Sequence, residues 1–160
     1  DEGKENLFAG RCDVYTTDAS GLSSTRAAAA NPDKWLVLPE IISKEPLGPL
    51  VRHGDHQWGD VVRWSLNAMI IAEELGVSSE NVDASLSSNV PEVLRLLGVE
   101  GSYGEMLELA PDWAYQIIKQ IGNYSESYEA NVGPDTPLEI ARGLNALWTQ
   151  GGILYAPPFR

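Results

Sequence analysis

The sequence predicts an α/β protein with a short α/β piece at the front and a helix-rich C-terminal portion. Three observations lead there. In residues 10–22, "GRCDVYTTDASGL", Cys12, Val14 and Thr16 alternate with Asp13, Tyr15 and Thr17, and the run ends on Asp18 before a Ser/Gly pair. Such alternation is the period of a strand, and an acid at its end is a helix cap. Residues 34–52 are apolar and β-branched but punctuated by Pro39, Pro46, Gly48 and Pro49, which marks extended chain. From His53 onward the apolar residues recur at steps of three and four, the period of an amphipathic helix.

Taken in order, residues 1–9 predict a short helix with Leu7 and Phe8 facing inward, closed by Gly10. A strand over 11–17 and a helix over 19–30 follow, the helix stopped by Asn31-Pro32. "KWLVLPEII" predicts a buried strand interrupted by Pro39, and residues 49–52 a second short one. Asp55 can cap a long helix whose face carries Trp58, Val61, Val62, Ser65, Leu66, Met69 and Ile70, ending at Gly76. "SSENVDASL" and "PEVLRLLG" predict short helices, the second with Pro91 in its first turn, and "GEMLEL" a helical turn. Residues 111–133 read as one long amphipathic helix with Trp113, Ile117, Ile121, Tyr124 and Tyr128 on one side. "TPLEIARGLNALW" predicts the last helix, and "GGILYAPPFR" an extended tail. The early piece holds too few strands for a satisfied sheet, so its edges need other chain to cover them.

Charge excludes some functions. With 23 acidic residues against 11 basic ones the net charge is -12. The basic residues are scattered singly, so no nucleic-acid partner is expected, since phosphate binding needs a basic face. No apolar run approaches the roughly 20 residues that span a bilayer. The chain opens on "DEGKENLF", with no initiator Met and no signal peptide, which predicts a processed or truncated chain. Its single cysteine, Cys12, lies in the expected first strand and reads as a buried thiol or half of a pair with a partner elsewhere.

Chemistry-bearing residues are few. Asp18 has two compatible readings: the cap of the following helix, which is the default, and a carboxylate at a strand end holding a ligand ammonium. His53, Asp55, His56 and Asp60 cluster in "RHGDHQWGD", but their spacing fits no metal motif, so a helix start with solvated polar groups is expected and no metal. There is no G-x-S-x-G elbow for a serine nucleophile, and "GVEGSYG" lacks the lysine of a phosphate loop. No catalytic residue and no cofactor are expected, and the protein is read as a non-enzyme.

"GRCDVYTTDASGL", "LVLPEIISKEPLGPLVRHGDHQW", "WAYQIIKQIGNYSESYEANVG" and "RGLNALWTQGGILYAPPFR" together resemble the C-terminal half of general L-amino-acid-binding periplasmic proteins, the substrate-binding components of ABC transporters for polar amino acids. The resemblance runs over essentially the whole chain. It implies part of a periplasmic-binding-protein type II fold, in which two α/β lobes close over one amino acid. Residues 1–36 would be the C-terminal part of lobe 2, 37–52 the extended hinge segment, and 53–160 the helical part packing on lobe 1. Asp18 matches the carboxylate that holds the ligand's α-amino group, and Thr17 beside it lines the cleft. The implied partners are an L-amino acid, a membrane permease, and the N-terminal half of the same protein or a second chain; the implied location is the periplasm. Cys12 would pair with a cysteine upstream in lobe 2. The arginine for the ligand carboxylate belongs to the part not represented in these 160 residues. A different class of function is a free-standing truncated chain acting as an interaction or structural protein through exposed sheet edges.

Overall fold

The computed structural model describes residues 2–160. They form eight α-helices and, among the described residues, no β-strand: α1 (Glu2–Phe8), α2 (Ala19–Ala27), α3 (His56–Glu74), α4 (Val82–Ser85), α5 (Pro91–Leu96), α6 (Tyr103–Met106), α7 (Trp113–Ile121) and α8 (Tyr124–Asn131). Two compact units divide them. One runs to Leu47 and includes Val132–Ala141; the other comprises Gly48–Asn131 and Arg142–Arg160.

Among its described residues the first unit has two α-helices and no buried apolar side chain. Gly10, at φ +67, closes the end of α1, and Phe8 packs edge-on against Trp35 with ring centroids 5.2 Å apart. Phe8 nonetheless stays exposed, unlike the inward placement expected of it. Asp18 caps α2, which ends at Ala27 rather than residue 30. Arg26 pairs with Glu139. The predicted strands over 11–17 and within 34–42 are absent; both stretches are irregular. A strand is held by its neighbour's peptide groups, and these stretches have none beside them. Their sequence still shows what they lack: Leu36, Leu38, Ile41 and Ile42 are 60–81% exposed, an apolar run with no cover.

The second unit holds the core. In place of the predicted strand at 49–52, its first residues are irregular, and Asp55 then caps α3 by accepting the Trp58 amide at 3.1 Å. The core gathers Ala68, Ile71, Ala72, Val82, Leu96, Leu97, Trp113, Ile118 and Phe159, with Val61, Trp64 and Leu75 packed against it. α3 therefore buries a row displaced from the expected face, and Trp58 and Leu66 remain outside. The choice was made by the elements that pack on it, α5, α7 and α8.

The long helix expected over 111–133 is two. Gly122 adopts φ 93 and ψ -177, a conformation open to glycine, and a Cβ there would stand 2.7 Å from that of Glu126. The break is locked by a capping box: Asn123 Oδ1 accepts the Glu126 amide at 3.0 Å, and Glu126 Oε2 accepts the Asn123 amide at 2.8 Å. Glu126 also accepts from the Ser79 hydroxyl, and the buried Asn123 amide group donates to Val77 O at 2.9 Å. The helix expected over 136–148 does not form either. Thr136 turns the chain, Glu139 takes φ 53, and two single turns of 3-10 helix follow, at Gly143–Asn145 and Trp148–Gln150. The tail is extended as expected; an isolated parallel bridge joins Leu147 to Leu154, and Ala156 and Phe159 plug the core.

Candidate ligand-binding site

Asp18 enters α2 with extended backbone, φ -60 and ψ 158, so its side chain folds back over the first turn. The Gly21 amide donates to Oδ1 at 2.8 Å, and the Ser20 hydroxyl donates to the same oxygen at 2.8 Å. These bonds stabilise the charged form, the Ser20 hydroxyl first and the Gly21 amide next, and hold the carboxyl below its ordinary value against a smaller opposing effect of burial. Asp18 is thus an anion at neutral pH. Oδ2 takes part in neither bond. A half-exposed carboxylate with one oxygen tied down and the other open is suited to a charge-assisted bond from an ammonium group.

Thr17 is exposed and adjoins that carboxylate. A Cβ placed on Gly21 would meet Thr17 Cγ2 at 2.9 Å and Asp18 Oδ2 at 2.8 Å, so both side chains flank the same point on α2. The role of the Ser20 hydroxyl was missed by sequence reasoning; the Asp-x-Ser pattern at a helix start is the signal that carries it.

Asp55 caps α3, and Asp60 pairs with Arg63 at 3.4 Å on the helix surface. No group of three or more His, Cys, Asp or Glu that could hold a metal exists among the described residues. Cys12 is a half-buried free thiol. No helix among the described residues is long and apolar enough to cross a membrane. A depression of about 200 Å³ in the second unit is lined by Ile71, Glu74, Leu75, Trp148 and Tyr155. Trp148 Nε1 donates to Glu74 there at 3.1 Å, a contact between the tail and α3.

No protein-family profile matches the chain. It is 55% identical over 160 residues to the glutamate/glutamine/aspartate/asparagine-binding protein BztA of Rhodobacter capsulatus, covering 99% of this chain and 47% of that protein. It is 57% identical over 154 residues to the general L-amino acid-binding periplasmic protein AapJ of Rhizobium johnstonii, covering 95% of this chain and 45% of that protein. It is 54% identical over 161 residues to a protein of Escherichia coli K12 named putative amino-acid ABC transporter-binding protein YhdW, covering 100% of this chain and 47% of that protein. Among solved structures, a periplasmic binding protein of an ABC transporter from Brucella ovis, with glutathione bound, superposes with a TM-score of 0.93 at 51% identity. That match covers 99% of this chain and 50% of the other. The chain spans about half the length of the relatives it matches, and its architecture is a partial, helix-rich type II periplasmic-binding-protein fold.

Proposed function

We propose that this chain is part of a substrate-binding protein that captures an L-amino acid in the periplasm and delivers it to the permease of an ABC importer. Binding, with no chemical conversion of the ligand, is the whole of its task. Asp18 is the anchor of the ligand α-amino group, and Thr17 lines the cleft beside it. The observation that carries this reading is the Asp18 carboxylate itself: ionised, tied by one oxygen, and open by the other. Residues 1–36 belong to the second lobe, 37–52 to the extended hinge segment, and 53–160 to the helical part on the first lobe. The lack of apolar core in the first unit and the exposed Leu36, Leu38, Ile41 and Ile42 support a complementary half that covers them.

Calorimetry on the complete two-lobed protein with a panel of L-amino acids tests the proposal. Asp18→Asn is expected to weaken binding on the order of a hundredfold, because an enclosed charge pair loses one partner. Undiminished affinity in that variant would remove Asp18 from the site.

The same exposed apolar side chains favour a second reading, in which the chain stands alone and associates through them. Sedimentation decides it: a monomer at high concentration speaks against association.

A further inference from the structure

α2 carries a glycine, Gly21, in its first turn, where no left-handed backbone angle calls for one. Glycine is a poorer helix former than alanine at such a position, so its presence there has another cause. The surroundings supply it. A Cβ on residue 21 would stand 2.8 Å from Asp18 Oδ2, 3.1 Å from Oδ1 and 2.9 Å from Thr17 Cγ2. The 2.8 and 2.9 Å distances are ones real Cβ atoms do not keep, the 3.1 Å one is tight, and each atom met is the end of a side chain rather than backbone. The volume a methyl would fill is thus the volume the carboxylate needs.

We propose that Gly21 is a positioning residue for ammonium recognition: its missing side chain lets the Asp18 carboxylate lie over the first turn of α2, with Oδ1 held by Ser20 and Gly21 and Oδ2 open to the ligand. The inference rests on the reading of Asp18 as the ammonium anchor. A methyl at 21 acts against the ligand in two ways. It turns the carboxylate away from the Ser20 hydroxyl and the Gly21 amide, and it occupies a point 2.8 Å from Oδ2, the distance at which a donor would sit. On the fold it acts in two opposing directions of similar size: alanine favours the helix, while the displaced carboxylate no longer caps it. Ligand affinity has no such offset.

The test compares wild type, Gly21→Ala and Asp18→Asn in the complete protein. Affinity is read by calorimetry with L-glutamate, L-glutamine and glutathione as probes, and stability by thermal melting without ligand. Gly21→Ala is expected to melt close to wild type, as helix propensity offsets the lost cap, yet to bind about tenfold or more weakly, the size of a lost bond to a charged group. A purely structural glycine would not produce that split. A melting temperature lowered further than the loss of one helix cap accounts for overturns the inference, because the glycine then serves the backbone. If Asp18→Asn weakens binding while Gly21→Ala keeps wild-type affinity, the inference alone fails. If Asp18→Asn binds as wild type does, or wild type binds none of the three probes, the reading beneath it fails as well.

Discussion

Replacing Arg142 by alanine probes a largely buried polar contact between the C-terminal segment and the helical core. Arg142 Nη2 reaches both oxygens of Glu73 on α3, at 3.0 and 3.1 Å, and its Nε and Nη2 donate to Asn145 O at 2.9 and 2.7 Å. Its guanidinium also lies 5.3 and 5.4 Å from the ring centres of Tyr124 and Tyr128. The two charged side chains are only 16% and 10% exposed, so this pair is not screened as a surface bridge is. Removing the arginine strands the Glu73 carboxylate in a largely dry site, which costs about 3–5 kcal/mol. Loss of the two ring contacts, each about 0.5–1 kcal/mol, places the effect toward the upper end of that range. Urea unfolding followed by tryptophan fluorescence measures it, with an unchanged slope showing that the unfolded state is not altered. The paired replacement of Glu73 by methionine and Arg142 by leucine should cost less than Arg142→Ala alone, since no charge is left behind. An Arg142→Ala loss below about 1 kcal/mol, the size of an exposed pair, would refute the reasoning.

Two further substitutions test the core and the helix break. Phe159 is buried against Trp64 and Tyr103, with centroids 5.2 Å away, and near Trp113 at 6.2 Å, so Phe159→Ala should destabilise by about 3–5 kcal/mol in the same assay. A loss well under that would mean the tail is not part of the core. Glu126→Ala removes the acceptor for the Ser79 hydroxyl and for the Asn123 and Ser79 amides, at a cost of about 1–3 kcal/mol. Burial pushes the Glu126 carboxyl up, but the bonds from Ser79 and Asn123 outweigh it and hold the carboxyl below its ordinary value of 4.5. A carboxyl depressed in the folded state stabilises fully above its unfolded value and loses that contribution as pH falls through the folded one. The gap between wild type and Glu126→Ala should hold near neutrality and shrink in acid below that range; a gap that widens there contradicts the assignment.

Much of the local structure was legible because it depends on neighbours in sequence. Asp18 and Asp55 each accept the amide three residues on, Pro91 opens α5, and Gly10 closes α1, all set by backbone groups within one turn. The relation to amino-acid-binding proteins was legible too, from long stretches of sequence. The Asp18 carboxylate was foreseen as a cap, but not the Ser20 hydroxyl on the same oxygen, because a hydroxyl's direction depends on its rotamer.

The sequence by itself determined where α2, α3 and α5 begin, since an Asp cap or a first-turn proline acts over a few residues. It also determined which stretches are apolar enough to want burial. Only the tertiary structure decided which of them are buried. Residues 34–42 have the composition of a buried strand, yet Leu36 and Ile41 are each 81% exposed, because strand pairing is made by another segment and none adjoins them. The periodicity of 111–133 suggested one helix, but Gly122 and the local Asn123–Glu126 box break it, and the Glu126 bond to Ser79 adds a long-range tie at the break. Local bonds set the ends of elements, and long-range packing chose their partners.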